Sequence, residues 1–255
     1  MSVEENKQAI LAEYDERTTR VSALPFYYSI HLNMPCNQRC IMCVPNGQHA
    51  RDVLPFEEFL TFFERVEPYA EHVTLIGGET FMYPHICEVL EVLARHPVAV
   101  SVITNATMLN DRVAERLLAL HELYIKCSID AATRETYHRI RGYDVFDRVS
   151  ANIAGFAEQA RGRDNIKIVP VYVVMRENLD EVLPFLDHAK AFLPHRVEFH
   201  PVRQVTHWHV ENGTGWTFDG REQSCEFFRE EYNAVMRQAA DKAAADGIEC
   251  EVTYL

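Results

Sequence analysis

The sequence predicts an α/β protein in which six strand–helix units form an open or partial barrel of parallel strands. Apolar stretches rich in β-branched and aromatic residues alternate along the chain with stretches of helical periodicity. Strands that are separated by helical crossovers pair in parallel, with right-handed connections. The stretch 169–175 is almost entirely apolar, which is typical of a strand covered by helices on the outer face of such a sheet.

The elements can be placed in order along the chain. The N-terminal stretch 4–20 is charged but carries Ile10 and Tyr14, a pattern that fits a surface helix. Pro84 suits a first helical turn, and Asn110 suits a helix N-cap. Strands are predicted at 26–32, 72–76, 98–103, 123–129, 166–175 and 196–200. Helices are predicted at 55–69, at 84–95, after the cap at Asn110, at 145–160 and at 179–192.

The C-terminal stretch departs from this alternation. Residues 212–220 hold three of the ten glycines and are predicted to form a loop, followed by a long helix over 221–245. A possible strand at 248–255 has no evident partner. We therefore expect an N-terminal helix within 1–22, the barrel over 23–203, and a C-terminal loop, helix and possible strand over 204–255 that begin a cap region.

Composition narrows the class of protein. The 255 residues include 25 Lys and Arg against 38 Asp and Glu, a net charge of −13, and 47% are hydrophobic, which excludes a disordered or fibrous chain. The acidic balance disfavours nucleic acid and anionic membrane as partners. No apolar run reaches the roughly 18 residues of a membrane span, and the charged N-terminus lacks the apolar region of a signal peptide. We expect a cytoplasmic protein.

The cysteines are the most informative residues. Three of the seven, Cys36, Cys40 and Cys43, fall within eight residues, and such clustering indicates metal or redox chemistry rather than a disulfide framework. Cys87 and Cys127 lie in a predicted helix and strand, where we expect them to pack as small apolar residues. Cys225 and Cys250 lie beyond residue 200 and are too few for a second iron–sulfur cluster bound by cysteines alone.

Three kinds of site fit the triplet. A short loop can bring three thiolates to an iron–sulfur cluster, with the fourth iron left to a ligand from elsewhere. A tetrahedral zinc site needs a fourth ligand, which His49 could supply, but no second C-x2-C is present. A redox pair formed by Cys40 and Cys43 leaves Cys36 unexplained.

Polar residues also follow the predicted strands. In parallel α/β sheets the reactive groups collect at the carboxyl ends of the strands, so these residues should converge on one rim. They are the cysteine loop after the first strand, Gly77-Gly78-Glu79 after the second, Thr104-Asn105 after the third, Ser128 and Asp130 after the fourth, and Asn178 after the fifth.

With its C-x3-C-x2-C triplet directly after the first strand, Gly-Gly-Glu after the second and Ser-Ile-Asp after the fourth, the chain resembles the radical S-adenosylmethionine (SAM) superfamily over about residues 26–202. The pattern most resembles the SPASM/twitch branch of that family. The resemblance implies a partial (β/α)6 TIM-like barrel, the radical SAM core. It also implies a [4Fe-4S] cluster bound by Cys36, Cys40 and Cys43, whose open iron is chelated by SAM.

The resemblance further implies a set of SAM contacts. Glycines let the backbone approach the methionine moiety, and Glu79 can accept a hydrogen bond from its ammonium group. Arg141 matches a position that often faces the SAM carboxylate, with Arg139 as the local competitor. Ser128 and Asn105 can bond the carboxylate and ribose. The full predicted set is Met42, Gly77, Gly78, Glu79, Asn105, Ser128 and Arg141.

The implied reaction is reductive cleavage of SAM to a 5′-deoxyadenosyl radical that abstracts hydrogen from a peptide or small metabolite, an oxidoreductase or transferase activity. A flavodoxin or ferredoxin would supply the electron. Candidate substrate contacts are Tyr172, expected to point into the barrel from the fifth strand, and His207, His209 and Trp216 in a polar, aromatic segment. The alternatives are an activase of a glycyl-radical enzyme, although its extra cysteines are absent, and a non-catalytic iron–sulfur or zinc protein.

Overall fold

A parallel sheet of seven strands organises the structure, a computed structural model that describes residues 3–43, 51–209 and 217–255. Its spatial order is β1-β2-β3-β4-β5-β6-β9, with every neighbouring pair parallel. The strands are β1 Tyr27–Asn33, β2 His72–Gly77, β3 Ala99–Thr104, β4 Glu122–Ser128, β5 Ile166–Val174, β6 Arg196–Pro201 and β9 Glu249–Val252. A separate antiparallel pair is formed by β7 His207–His209 and β8 Thr217–Asp219.

Helices connect the strands. They are α1 Val3–Asp15, α2 Phe56–Val66, α3 Ile86–Leu93, α4 Asp111–Leu117, α5 Arg134–Arg141, α6 Phe146–Ala160, α7 Val182–Ala189, α8 Gly220–Gln223 and α9 Arg229–Ala245. The predicted cap of α4 is confirmed, because the Asn110 side chain accepts a hydrogen bond from the Val113 amide at 3.2 Å. None of the helices in the described ranges has the length and apolar character to cross a bilayer.

The two faces of the sheet differ in chemistry. Alternate residues such as Val73 and Leu75 of β2 point to the outer face, where they pack with the helices in one large apolar core. The intervening residues point to the inner face, which carries polar side chains such as Thr74, Ser101 and Lys126. Helices on the outer face were predicted. The polar inner face was not predicted, because the fifth strand is almost entirely apolar and the other strands were expected to resemble it.

The fold class is confirmed: the structure is α/β, with the parallel strands and crossover helices of a partial TIM-like barrel. The six predicted strands lie within one or two residues of β1 to β6. Helix α1 ends at Asp15 rather than at residue 20, because the chain turns into a left-handed conformation at Arg17, with φ 53°.

The prediction for the C-terminal stretch needs three corrections. The strand without an evident partner is β9, which pairs in parallel with β6 and adds a seventh strand, with Arg196 opposite Glu249. Residues 217–219, predicted as loop, form β8. The predicted helix over 221–245 is two helices, since the Ser224 hydroxyl caps a short 3-10 turn between α8 and α9 by accepting from the Glu226 amide.

Candidate active site

The cysteine loop follows β1 and docks against the last turn of α5. The Arg39 amide donates to the Arg141 carbonyl at 3.2 Å, and the Ile41 amide donates to the Ile140 carbonyl at 2.9 Å. The loop thereby presents all three thiols of the triplet to one cavity. Cys36 and Cys40 are half-buried and Cys43 is exposed.

The environment of the thiols is asymmetric. The Cys36 sulfur accepts hydrogen bonds from the Gln38 amide at 3.4 Å and from Asn105 Nδ2 at 3.8 Å, whereas the Cys40 sulfur accepts from Arg141 Nη1 at 3.6 Å. Burial raises the pKa of the Cys40 thiol to about 12, although the Arg141 charge opposes it. A neutral thiol must lose its proton to bind iron as a thiolate. Binding of a cluster by these cysteines would therefore release protons.

The thiols do not converge as ligands of a single ion. Within the described ranges, no group of three or more His, Cys, Asp or Glu side chains is gathered closely enough to hold one metal ion. A cubane places each thiolate on a different iron, so the sulfurs need to surround a cluster rather than meet at a point. His49, the proposed fourth ligand of the zinc alternative, lies outside the described residues.

The two glycines after β2 allow a close backbone contact. A Cβ atom on Gly78 would lie 2.1 Å from the Met34 carbonyl oxygen and 2.4 Å from that of Pro35, and one on Gly77 would lie 2.4 Å from Asn33 Oδ1. These glycines therefore let the end of β2 pack directly against the residues that lead into the cysteine loop. Both also line the cavity, as the predicted SAM contact requires.

Glu79 lies behind the cavity wall. Its side chain is 1% exposed, and its carboxylate accepts hydrogen bonds from Thr104 Oγ1 at 2.6 Å, from the Asn105 amide at 2.7 Å and from the Phe81 amide at 3.1 Å. Burial raises the pKa of this carboxyl, against the lowering effect of those bonds. Glu79 thus ties the end of β3 to the loop after β2, and its contact with the SAM ammonium group stays a prediction.

Asn105 connects the end of β3 to the cysteine loop. Its Nδ2 donates to Asn37 Oδ1 at 2.9 Å, and its Oδ1 accepts from the Thr107 hydroxyl at 2.6 Å and the Thr107 amide at 3.0 Å. The turn is completed by Ala106, which has φ 58°. The side chain is therefore held at the cavity edge by both loops.

Arg141 has a buried acidic partner. It forms an ion pair with Asp130, and both side chains are almost completely buried. Asp130 has φ 64°, and its Oδ1 accepts a hydrogen bond from the Val173 amide at 2.7 Å. Arg141 still lines the cavity, but its charge is committed to Asp130 and to the Cys40 sulfur in this structure. Its competitor Arg139 lies half exposed and pairs with Glu177 at 2.8 Å, outside the cavity.

The cavity has a volume of about 330 Å³, within the usual range for small-molecule sites. Nine predicted residues line it: Cys36, Cys40, Cys43, Met42, Gly77, Gly78, Asn105, Ser128 and Arg141. Thr104, which was predicted for the same rim, also lines it, whereas sequence reasoning did not single out His31, Met34, Gln38, Ile103 and Val173. Strand alternation is the signal that could have found His31, Ile103 and Val173, because each occupies an inward position near the carboxyl end of its strand.

None of the predicted substrate residues is found among the described residues that line the cavity. Tyr172 lies on the outer face of β5, fully buried between Phe185 and Phe199, and its hydroxyl donates to the Asn178 carbonyl at 2.8 Å. The prediction that it points into the barrel was wrong, because strand alternation turns Val171 and Val173 inward instead. His207 and His209 lie in β7, of which only the backbone is described, and Trp216 lies outside the described residues.

Comparison with known proteins identifies the family of the chain. The model of the radical SAM superfamily matches residues 35–189, more than half of the sequence and all of the cavity-lining loops from the cysteines to Val173. The chain belongs to the radical SAM superfamily. Enzymes of this superfamily use a [4Fe-4S] cluster and SAM, and the cavity offers the three thiols and the glycine-lined wall that such a pair requires.

Two curated relatives lie within this radical SAM family. A protein named probable GTP 3′,8-cyclase from Saccharolobus islandicus is 29% identical over 182 residues, which cover 68% of this chain and 56% of that protein. The mycofactocin maturase MftC from Mycobacterium tuberculosis is 27% identical over 173 residues, covering 66% of this chain and 42% of MftC. The chain thus spans about half the length of the curated relatives it matches.

The fold is shared with solved radical SAM structures. The crystal structure of Streptococcus suis SuiB bound to precursor peptide SuiA superposes with a TM-score of 0.75 and 14% identity, covering 97% of this chain and 52% of SuiB. At that identity the likeness concerns the fold. Since 97% of the chain is covered, the likeness extends beyond residue 189.

Proposed function

We propose that this chain is the radical SAM core of an enzyme that abstracts hydrogen from a peptide or small metabolite. The proposal is supported above all by one observation: the same cavity is lined by Cys36, Cys40 and Cys43 and by Gly77 and Gly78. When bound, the cluster and SAM supply one-electron chemistry, the reductive cleavage of a sulfonium that yields a 5′-deoxyadenosyl radical. The protein supplies binding, orientation and exclusion of water.

The residues of the chain divide these tasks. The three thiolates would hold the cluster, and the backbone at Gly77 and Gly78 would flank the methionine moiety of SAM. Asn105 and Ser128 present side-chain donors at the cavity edge, with Asn105 held in place by two loops. Met42 would contact the adenine through its backbone. These assignments are supported by the position of each residue on the cavity wall.

Part of the cavity wall is apolar. Met34, Ile103 and Val173 contribute apolar surface beside the polar groups, and a dry site protects a reactive radical from side reactions. Cys43, which is the exposed thiol, marks the side of the proposed cluster nearest to solvent. A flavodoxin or ferredoxin would deliver the electron from that side.

Both substrate classes have support among the relatives. SuiB binds a precursor peptide, and the name of MftC describes a maturase, which favours a peptide. The name of the Saccharolobus protein describes a cyclase of GTP, which favours a small metabolite.

The proposal is tested by anaerobic reconstitution of the protein with iron and sulfide. We expect a reduced cluster with the electron paramagnetic resonance spectrum of [4Fe-4S]+, and formation of 5′-deoxyadenosine from SAM with dithionite. Cys36→Ala should abolish both, while Cys250→Ala, a half-buried cysteine of β9 away from the cavity, should leave them unchanged.

Two results would contradict the proposal. A cubane that persists when Cys36, Cys40 and Cys43 are all replaced by Ala would place the cluster elsewhere. A normal cluster with no 5′-deoxyadenosine would favour the non-catalytic iron–sulfur protein.

A further inference from the structure

A buried carboxylate on the inner face of the sheet gathers three basic side chains. Glu198 of β6 is 1% exposed, and its two oxygens accept hydrogen bonds from Lys126 Nζ at 3.0 and 2.9 Å. Oε1 also accepts from Arg196 Nε and Nη2 at 2.9 and 2.6 Å, and Oε2 lies 3.2 Å from His200 Nε2. We call Lys126, Arg196, Glu198 and His200 the basic hub.

The basic hub lies at the level of the cavity. In the strand register, Lys126 stands beside Ile103, and His200 stands beside Val173. Glu198 shares a row with Ser128, through Val171 between them. Ile103, Val173 and Ser128 all line the cavity, so Lys126 and His200 stand beside residues of its wall, and Glu198 lies one strand further from it.

The basic hub carries more positive than negative charge. Although burial alone would raise it, the hydrogen bonds from His200, Lys126 and Arg196 lower the pKa of Glu198 to about 2, so this carboxylate is ionised at neutral pH. It offsets one of the two positive charges of Lys126 and Arg196. Glu251 lies 3.3 Å from Arg196 Nε but is 54% exposed, so water screens its charge more than that of the buried Glu198.

The basic side chains also keep unused hydrogen-bond capacity. An ammonium group has three donors, of which Glu198 accepts two from Lys126, and within the described residues neither Arg196 Nη1 nor His200 Nδ1 forms a hydrogen bond. Lys126 and Arg196 are 27% and 20% exposed, so they are partly desolvated but reachable. Partly buried cationic donors bind anions more strongly than solvated ones.

We propose that the basic hub binds an acidic group of the substrate, a carboxylate or a phosphate, while the reacting part of the substrate lies in the cavity. The inference rests on the proposed function and names the substrate class of the same site. Glu198 acts as the positioning residue, because it holds the three basic side chains in one cluster. Lys126 and His200, on the rows next to the cavity, bond the anion.

The test uses the reconstituted holoprotein with 13C-labelled histidine. The His200 ring resonance is assigned by its loss in His200→Gln and is followed while inorganic phosphate or succinate is added at constant ionic strength, with chloride as the reference salt. We expect a saturable shift of this resonance with at least one of the two anions. Phosphate alone indicates a phosphorylated substrate, succinate alone indicates a carboxylate, and both indicate an unselective anion site.

Matched lysine variants make the test specific. Lys126→Gln should weaken anion binding at least tenfold, and Lys126→Arg should restore it. Lys167→Gln is the control, since Lys167 lies on the same inner face, is 21% exposed and pairs with Glu122 at 2.5 Å, but stands two residues before Val169 at the amino end of β5. Should Lys126→Gln not fold, Arg196→Gln takes its place.

Three results would overturn the inference: no saturable shift with either anion, a shift that chloride reproduces, or equal affinities in Lys126→Gln and Lys167→Gln. Formation of 5′-deoxyadenosine is measured on the same preparations. If the protein cleaves SAM but binds no anion, the inference about the basic hub is wrong and the proposed function stands. If it binds an anion but does not cleave SAM, the proposed radical chemistry is wrong and the anion site stands.

Discussion

The guanidinium of Arg141 lies between a buried carboxylate and a cysteine sulfur. It pairs with Asp130 and donates to the Cys40 sulfur at 3.6 Å. The reduction potential of an iron–sulfur cluster depends on the net charge nearby and on hydrogen bonds to its sulfurs. A positive charge beside Cys40 favours the reduced cluster, and the negative charge of Asp130 opposes it. The charges of Arg141 and Asp130 therefore have opposite effects on the reduction potential of a cluster bound by Cys40.

We expect opposite shifts of the cluster potential when either partner is neutralised. Arg141→Gln should lower the midpoint potential, and Asp130→Asn should raise it, each by tens of millivolts. Redox titration of the holoprotein followed by electron paramagnetic resonance measures both. Arg139→Gln, at the half-exposed neighbour that pairs with Glu177, should cause no shift. Shifts of the same sign in the two variants would show that the pair acts only on structure.

At the scale of elements, the end of β2 and the cysteine loop are packed backbone against backbone. The contact depends on Gly78, where a Cβ would lie 2.1 Å from the Met34 carbonyl oxygen. Since that oxygen belongs to the main chain, no side-chain rotation can relieve the overlap. The position of the thiols is thus set partly by a strand that contributes no cysteine.

Gly78→Ala should displace the cysteine loop. We expect destabilisation of about 1–3 kcal/mol from overpacking, together with loss of iron from the reconstituted protein. Gly155→Ala is the control, because a Cβ at this position of α6 would meet no atom within 4 Å beyond the helix's own neighbouring backbone, and alanine favours a helix by about 1 kcal/mol over glycine. Urea unfolding and iron analysis of both variants check the prediction. Full iron content in Gly78→Ala would contradict it.

The basic hub links β4 to β6 across the inner face of β5, and this link should depend on pH. The pKa of Glu198 is lowered to about 2 in the folded chain from an ordinary value of 4.5. Its stabilising contribution is therefore complete above the ordinary value and is lost as pH falls toward 2. Between pH 6 and pH 4 we expect a loss of about 1 kcal/mol from this group.

Comparison with Glu198→Gln isolates that contribution, since other carboxyl groups titrate in both proteins. The free energy of unfolding should fall more steeply with decreasing pH in the wild type than in the variant. Parallel pH profiles would show that the ion pairs of Glu198 add nothing to stability.

At the scale of the whole molecule, the sequence predicted what short-range patterns determine. The alternation of strands and helices was sufficient for the six-unit sheet, and the spacing of the cysteines for three of the cavity-lining residues; the resemblance to the radical SAM superfamily supplied six more. The pairing of β9 with β6 was not predictable, because it joins segments about fifty residues apart and nothing in either segment specifies the partner. The ion pair of Arg141 with Asp130 was missed because the sequence does not specify which side chain after β4 meets the end of α5. Tyr172 was predicted to point into the barrel, but successive strand residues point to opposite faces and Tyr172 lies on the outer one.

The pairing of β9 has a consequence for hydrogen exchange. As the last strand of the sheet, β9 is bonded to β6 on one side, and the chain after it is held by Asn233 of α9 through the Leu255 amide and carbonyl at 3.0 and 2.6 Å. Edge strands exchange their amide hydrogens through local opening long before the whole molecule unfolds. Each such opening would separate Glu251 from Arg196, so exchange of the β9 amides would report how often this negative charge leaves the neighbourhood of the basic hub.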